Sequence, residues 1–587
     1  MTLKGTYPSK QDLSDAIKAA RGEIECDIVF ANIEFLDVFS GHFVRGDVGV
    51  YKDKIVGTCD KYTGKRVIDG SSLYLVPGFI DSHVHIESSL MTPRRFQQAA
   101  LPHGTTTAIW DPHEIANVKG VSGIEWAITS TENLLLDFFI MIPSCVPSTS
   151  PNLGLETSGA ELGPAEVKGF RNHPRVLGLA EMMNFPGLLN GEDDVLEKIG
   201  DFQGLRRDGH CPSLSGKDLN AYGVAGIHSC HESTRLEEAR EKLTKGIQVL
   251  IREGSCAKDA EELLPLLNSY TSSTVALCSD DRNPADIAIE GHIDHIVNMA
   301  LHEGHRPADI FRAASYSPAM MYGLNDRGAI APGYIADLVV VKPKENSWLN
   351  GVSLLQVFKS GKEVNETALE GIPEPRTFDN CKNLNINPLE IDQLKVSATE
   401  EKEKKVPVIG VIPRQILTKK LWQKMDVNDG EIKQDLANDI IKIGVFERHH
   451  GTGNTSIAFV KGFNLKKGAI ATSINHDSHN IIAVGANDIA MCDAINKLIK
   501  IDGGIVVVDG EGASEHLTLP IAGLMTTEPP KAVAASLRKL KKMATDIGCL
   551  LEEPFLQLSF LALPVIPSLK ITDKGLVDVD AFQLLNW

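Results

Sequence analysis

No two cysteines in this chain are spaced as CxxC, and the ten thiols are scattered over 587 residues. That pattern excludes a tight disulfide framework and fits reduced thiols in a cytoplasmic protein. Positive charge is scarce: 59 Lys and Arg stand against 77 Asp and Glu, for a net charge of −18. A polynucleotide or an anionic membrane surface needs clustered cations, so neither is expected as a partner. No uninterrupted apolar run reaches membrane-spanning length, and the run from Leu134 to Val146 is broken by Asp137 and Pro143. Met1 to Arg21 lacks the apolar core of a signal peptide. Internal repeats and low-complexity tracts are also missing. A chain this long exceeds one hydrophobic core, which predicts two to four domains.

Against these absences one stretch stands out, Pro77-Gly78-Phe79-Ile80-Asp81-Ser82-His83-Val84-His85-Ile86-Glu87. Residues i and i+2 of an extended strand point to the same face, so His83 and His85 can project into one site. Neutral imidazole is the commonest nitrogen ligand for Zn or Fe.

Around this stretch the pattern is regular. Residues 8 to 21 predict a short helix capped by Ser9, with Leu13 and Ile17 on one face. Short strands with Gly and Asp turns follow at 27–33, 46–51 and 54–57, and a similar β pattern returns at 328–341 and 356–364. The economical reading is one β-sandwich built from both flanks. Between them, eight strand-like runs end near His83/His85, Trp110, Ser144, Glu181, His210, His231, Arg252 and Asp280. Helical segments such as Glu237 to Lys245 and Ala260 to Ser269 separate them. Eight βα units over about 250 residues predict a (β/α)8 barrel, whose active site lies at the C-terminal strand ends. The charged run Glu400 to Lys405 predicts a solvated linker or helix end. Strands at 408–412 and 504–508 and a basic helix at 532–547 predict a further α/β domain. The expected class is therefore α/β: a TIM-like barrel (76–325) inserted in a β-sandwich (1–75 and 326–385), then a C-terminal α/β domain (386–587).

Candidate chemistry gathers at the predicted strand ends. Glu181 and the pair Asp280-Asp281 each follow an apolar run, and His210 and His231 each stand at a predicted strand end. With His83 and His85 they supply enough donors for two adjacent divalent ions. Adjacent strand residues face opposite ways, and position favours Asp280 over Asp281 as the ligand. His113, after the second strand, either orients a substrate or is a loop histidine beside Pro112. His476-Asp477-Ser478-His479 and Glu447-Arg448-His449-His450 form two further clusters, either facing the barrel mouth or lying in polar interface loops.

The sequence resembles the amidohydrolase superfamily, which opens its barrel with HxH and closes it with Asp, and more closely the bacterial-type adenine deaminases. The stretches that carry this are PGFIDSHVHIESS (77–89), GTTTAIWDPHEIANV (104–118), PSCVPSTSPNLGLETSGA (143–160), LAEMMNF (179–185), LSGKDLNAY (214–222), ALCSDDRNP (276–284) and SINHDSHNIIAVG (473–485). The resemblance implies a binuclear centre of Mn or Fe, or alternatively Zn. His83, His85 and Asp280 would hold one metal, His210 and His231 the other, and Glu181 would bridge where many relatives use a carboxylated Lys. It implies hydrolytic deamination of adenine to hypoxanthine and ammonia, as in purine salvage, by a water made nucleophilic between two cations. Asp280 would shuttle the proton, and Glu232, Glu87 or Glu156 would protonate a ring nitrogen. His113 would assist catalysis, and Glu87, Glu156, Asp281, His476 and His479 would touch the purine. A homo-oligomer is expected.

Three alternatives remain on sequence grounds. One is a deaminase of another 6-substituted purine such as N6-methyladenine; another is an amidohydrolase acting on a cyclic amide. The third is a non-catalytic binding protein on the same fold. Glu181, the PHE tripeptide and HDSHN speak against the second, and the complete donor set speaks against the third. The HxE…PCxxC signature of the zinc deaminases that act on nucleic acids is absent.

Overall fold

A computed structural model of the chain describes residues 2–3, 5–374, 378, 382–398 and 402–587. Eight parallel strands form the barrel: β1 Phe79–Val84, β2 Thr105–Trp110, β3 Asp137–Ile142, β4 Val176–Met182, β5 Arg206–Gly209, β6 Ser229–Cys230, β7 Gln248–Arg252 and β8 Val275–Cys278. Each pairs with its sequence neighbour. All eight end where the sequence places them. β1 meets β8 through a parallel bridge between Val84 and Asp280, with Asp280 N donating to the His83 carbonyl at 3.0 Å. That seam brings the first and last sequence motifs together. It is reinforced from inside by Asp81, which accepts from the Ser279 amide at 3.0 Å.

The barrel interior is filled by Ile80, Ile109, Phe139, Met141, Ala180, Leu250 and Ala276. A filled interior leaves only the C-terminal rim for chemistry. Gly78 lets β1 start hard against β2: a Cβ there would lie 2.4 Å from Thr106 Oγ1. Helices lie between the strands, among them Leu236–Thr244 after β6. The helix expected over 260–269 is shorter, Ala260–Leu263, because Pro265 cannot continue the hydrogen-bonded ladder.

Both flanks join one eight-stranded sheet, in which Tyr74–Pro77 pairs antiparallel with Leu338–Val341. The expected strand over 328–341 begins only at Leu338; before it, the Tyr334 carbonyl accepts from the Ile55 amide and the Ala336 amide donates to the Asp53 carbonyl, which ties this segment to the strand Lys54–Thr58. The N-terminal helix spans Lys10–Ala20 and is capped by Ser9, which accepts from the Asp12 amide. Farther on, a nine-stranded sheet runs from Glu403–Val411 to Ser514–Thr518 and packs against helices Asp488–Lys500 and Pro530–Asp546. Glu403 to Lys405 are not linker or helix end but the start of a strand, paired with Lys424 to Asp426. They remain solvated because they lie beyond the buried part of that strand; Glu400 and Glu401 lie outside the described residues. Among the described residues no helix is long and apolar enough to cross a membrane.

The C-terminal part reaches the barrel rim through helix Pro554–Ser559 and Phe560. Beneath it, Lys570 is wholly buried and donates to the carbonyls of Ile416 and Phe560, both at 2.7 Å. Burial pushes this amine down to about 7. An unfolded lysine keeps its proton to about pH 10.4, so between those values the unfolded chain binds the extra proton. The stability that Lys570 contributes should therefore fall as pH drops from about 10 to about 7, by up to about 4 kcal/mol. Lys570→Met abolishes this, so its thermal midpoint relative to the parent chain should rise from pH 9.5 to pH 7. A difference that is flat with pH would contradict the buried neutral amine.

Candidate functional site

Glu181, at the end of β4, is the hub. Its Oε1 lies 3.6, 3.2 and 3.4 Å from His83 Nε2, His85 Nε2 and His113 Nδ1. Its Oε2 lies 2.5 and 3.1 Å from His210 Nδ1 and His231 Nε2. Burial works to neutralise this carboxyl, but the His231 and His210 imidazoles hold it well below the usual carboxylate range. Asp280 joins from the β8 side, with Oδ1 at 3.2 Å from His85 Nε2 and 3.8 Å from His83 Nε2. Its other oxygen accepts from Arg252 at 2.9 Å, and the same guanidinium contacts Glu232 and Asp259. The six donors expected as ligands thus converge at one rim.

The donor set fits divalent cations. His85 Nδ1 faces the Asp111 carbonyl at 3.1 Å, which leaves Nε2 with a lone pair turned inward. That atom confronts His83 Nε2 at 3.0 Å, with carboxylate oxygens beside both. Such a cluster of lone pairs in a buried place repels itself unless positive charge lies among it. On the other side His210 Nε2 and His231 Nδ1 are buried without a hydrogen-bond partner. Groupings of donor atoms compatible with a metal ion include His83, His85 and Asp280; His83, Glu181 and His231; and His210, His231 and Glu232.

Asp280 and Asp281 both line the cavity, which strand alternation does not allow for. The reason is local: β8 ends at Cys278, and Asp280 has a left-handed φ of 52°, so the backbone has already turned. Asp281 accepts from Ser88. Burial and the adjacent Asp280 push Asp281 up to about 6.

The residues proposed to meet a substrate divide sharply. His113, Glu232, Asp281 and His476 line the cavity. Glu87, Glu156 and His479 do not. Glu87 accepts from Trp110 Nε1 at 2.9 Å and the Ile115 amide at 3.1 Å, so its carboxylate fastens the helix His113–Lys119 to β2. One oxygen of Glu156 takes three bonds, from Ser148 Oγ and from the amide and hydroxyl of Thr149. His479 contacts Glu114 instead. His449 directs Nε2 to the Ser478 carbonyl at 2.7 Å within the C-terminal part, and His450 directs Nε2 to the Ser158 carbonyl at 2.9 Å, tying that part to a barrel loop.

Four further cavity-lining residues were not singled out from sequence: Glu114, Met183, Phe560 and Leu563. Asp477, named in sequence only as part of its histidine cluster, completes the lining with them. Glu114 bonds His476 Nδ1 at 2.6 Å and lies 3.5 Å from His113 Nε2. An acid directly after His113 and another between two histidines were the available signals. Phe560 carried none. The cavity measures about 20 Å³, room for about one water.

Residues 74–364 match the amidohydrolase family, and residues 415–583 match the adenine deaminase C-terminal domain. The chain is 46% identical over 565 residues to adenine deaminase 1 of Rhizobium johnstonii, covering 96% of this chain and 97% of that protein. It is 46% identical over 573 residues to adenine deaminase of Brucella abortus, covering 97% and 96%. Adenine deaminase 1 of Agrobacterium fabrum is 44% identical over 578 residues, covering 98% of each.

A bound cation stabilises the folded state by about 4 kcal/mol at a thousandfold excess over its dissociation constant. Exhaustive dialysis against a chelator should therefore lower the thermal midpoint by several degrees, and Mn²⁺ should restore it. Glu181→Gln should show neither shift; a midpoint indifferent to chelation would argue against the metal reading.

Proposed function

Because this chain belongs to the adenine deaminase family, we propose that it hydrolyses adenine to hypoxanthine and ammonia at the rim of its barrel. The observation that carries this reading is Glu181, a buried carboxylate shared by five imidazoles where many amidohydrolases use a modified lysine. The amidohydrolase family implies divalent metal binding. His83, His85 and Asp280 would hold one divalent ion, Mn or Fe, and His210 and His231 a second, with the Glu181 carboxylate within reach of both sets. Bound there, the ions supply the Lewis acidity that makes a water nucleophilic near neutral pH.

The chain's own groups do the rest. Asp280 is ionised, because His85 and Arg252 offset its burial. It takes a proton from the attacking water and delivers it to the departing amino nitrogen. Arg252 positions Asp280 and Glu232 together, one guanidinium fixing both carboxylates. His113 lies between Glu181 and the opposite wall; its Nδ1 is 3.1 Å from Asp111 Oδ2 and its Nε2 3.7 Å from Asp477 Oδ1. It is placed to steady the purine as charge develops. Surrounding side chains are buried, so bulk water is excluded from the reacting atoms.

Ammonia release from adenine by Mn-loaded protein is the direct test. Asp280→Asn should lower kcat by about 10²- to 10⁴-fold, the range for a lost general base. Glu181→Gln should abolish turnover and lower metal content measured by plasma mass spectrometry. No ammonia from fully metallated protein would sink the assignment.

A further inference from the structure

The wall opposite Glu181 comes from the C-terminal part of the chain. It is built by the loop between strands Ala469–Thr472 and Ile481–Gly485, together with Phe560 and Leu563. In it, His476 Nε2 and Asp477 Oδ2 are buried, belong to cavity-lining residues and have no hydrogen-bond partner. The same loop also buries both amide atoms of Asn475 and His479 Nε2 without a hydrogen-bond partner, but neither residue lines the cavity. The surrounding groups are committed. Glu114 is held between His476 and His479. Phe560 stacks on the His476 ring at 4.3 Å and 6°. An unmet buried polar atom costs about 1–3 kcal/mol, so a pair held this firmly suits a ligand that meets both.

We propose that His476 and Asp477 read the far edge of the purine, His476 donating to N3 and Asp477 accepting from N9–H. This deepens the adenine reading above and rests on it. In a purine, N3 lies across the six-membered ring from C6, and N9 is beside N3. With C6 held at Glu181 and Asp280, that edge turns toward the wall. The hydrogen-bonding sense also matches. His476 Nδ1 is 2.6 Å from Glu114, so one ring proton is directed there; pairing with this buried carboxylate favours the doubly protonated ring, which leaves Nε2–H free to donate. Burial alone would lower this imidazole, but Glu114 overrides it and lifts it to about 10. Asp477 stays an acceptor, because His113 offsets its burial and holds it below the usual range. The cavity as it stands admits about one water, so seating a purine requires the wall to shift outward. A nucleoside has no N9–H and carries a sugar there. The pair therefore selects the free base.

The test compares kcat/KM for adenine, 9-methyladenine and 3-deazaadenine, with metal content measured on every sample. The parent chain should use each analogue at least about 100-fold less well than adenine, as expected of a site built around those hydrogen bonds. Asp477→Ala and Asp477→Ser should shrink the 9-methyladenine penalty by about tenfold or more and leave the 3-deazaadenine penalty in place. His476→Asn should do the reverse. All should keep the parent's metal content. Equal use of the three purines by the parent chain would overturn the proposal without any variant. Unmoved ratios in folded, metal-loaded variants would overturn it too. Failure of the parent chain to deaminate adenine at all would instead remove the underlying reading, and this proposal with it.

Discussion

Everything at the rim depends on keeping one carboxylate, Glu181, ionised with almost no exposure to water. Desolvating a lone carboxylate is prohibitive, so it must be compensated on every side. Five imidazoles surround it, one from β1 and four from the segments just beyond β1, β2, β5 and β6. No two neighbouring strands could provide that shell; a closed parallel barrel can, because its strand ends converge on one circle. The β1–β8 seam is thus a chemical requirement as well as a structural one: it carries Asp280 to His85. Arg252 extends the compensation outward, balancing Asp280, Glu232 and Asp259 with one buried guanidinium.

The barrel does not finish its own site. Glu114 belongs to it, but both Glu114 oxygens face histidines from the nine-stranded sheet. That sheet in turn is tied down by Arg448, whose guanidinium bonds the carbonyls of His479, Asn383 and Ala522. Burial without an acidic partner in contact pulls Arg448 down to about 9. A charge is retained there because its geometry fixes the loop that bears His476 and Asp477.

The sequence made the scaffold readable for a physical reason. Strands such as β4 and β8 are apolar runs that end in the polar residue facing the rim, so strand end and ligand announce themselves together; β5, Arg206–Gly209, is polar and was legible only from its place in the alternation. The limits were equally physical. Period-two alternation fails at Asp280-Asp281, where a left-handed residue turns the chain and presents both acids. Glu87 follows the HxH motif closely, yet its carboxylate serves Trp110 and Ile115, a choice set by tertiary packing. Phe560, Leu563 and Met183 were invisible for the opposite reason: an apolar residue on a cavity wall is indistinguishable in sequence from one in a core. The run Glu403 to Lys405 looked like linker because its charge dominates, whereas pairing with Lys424 to Asp426 decides its conformation.

The pairing of Tyr74–Pro77 with Leu338–Val341 has a consequence for how the chain is made. The partners are 338 − 77 = 261 residues apart. At about 5–20 residues per second, the early flank waits roughly 13 to 50 seconds on the ribosome for the strand that covers it. Throughout that interval the hydrogen-bonding edge of Tyr74–Pro77 is open, beside the apolar Leu75 and Val76 that will be wholly buried. The barrel must emerge and close while its own clasp is still unfastened. The strand that completes the sheet is therefore made only after the whole barrel it clasps.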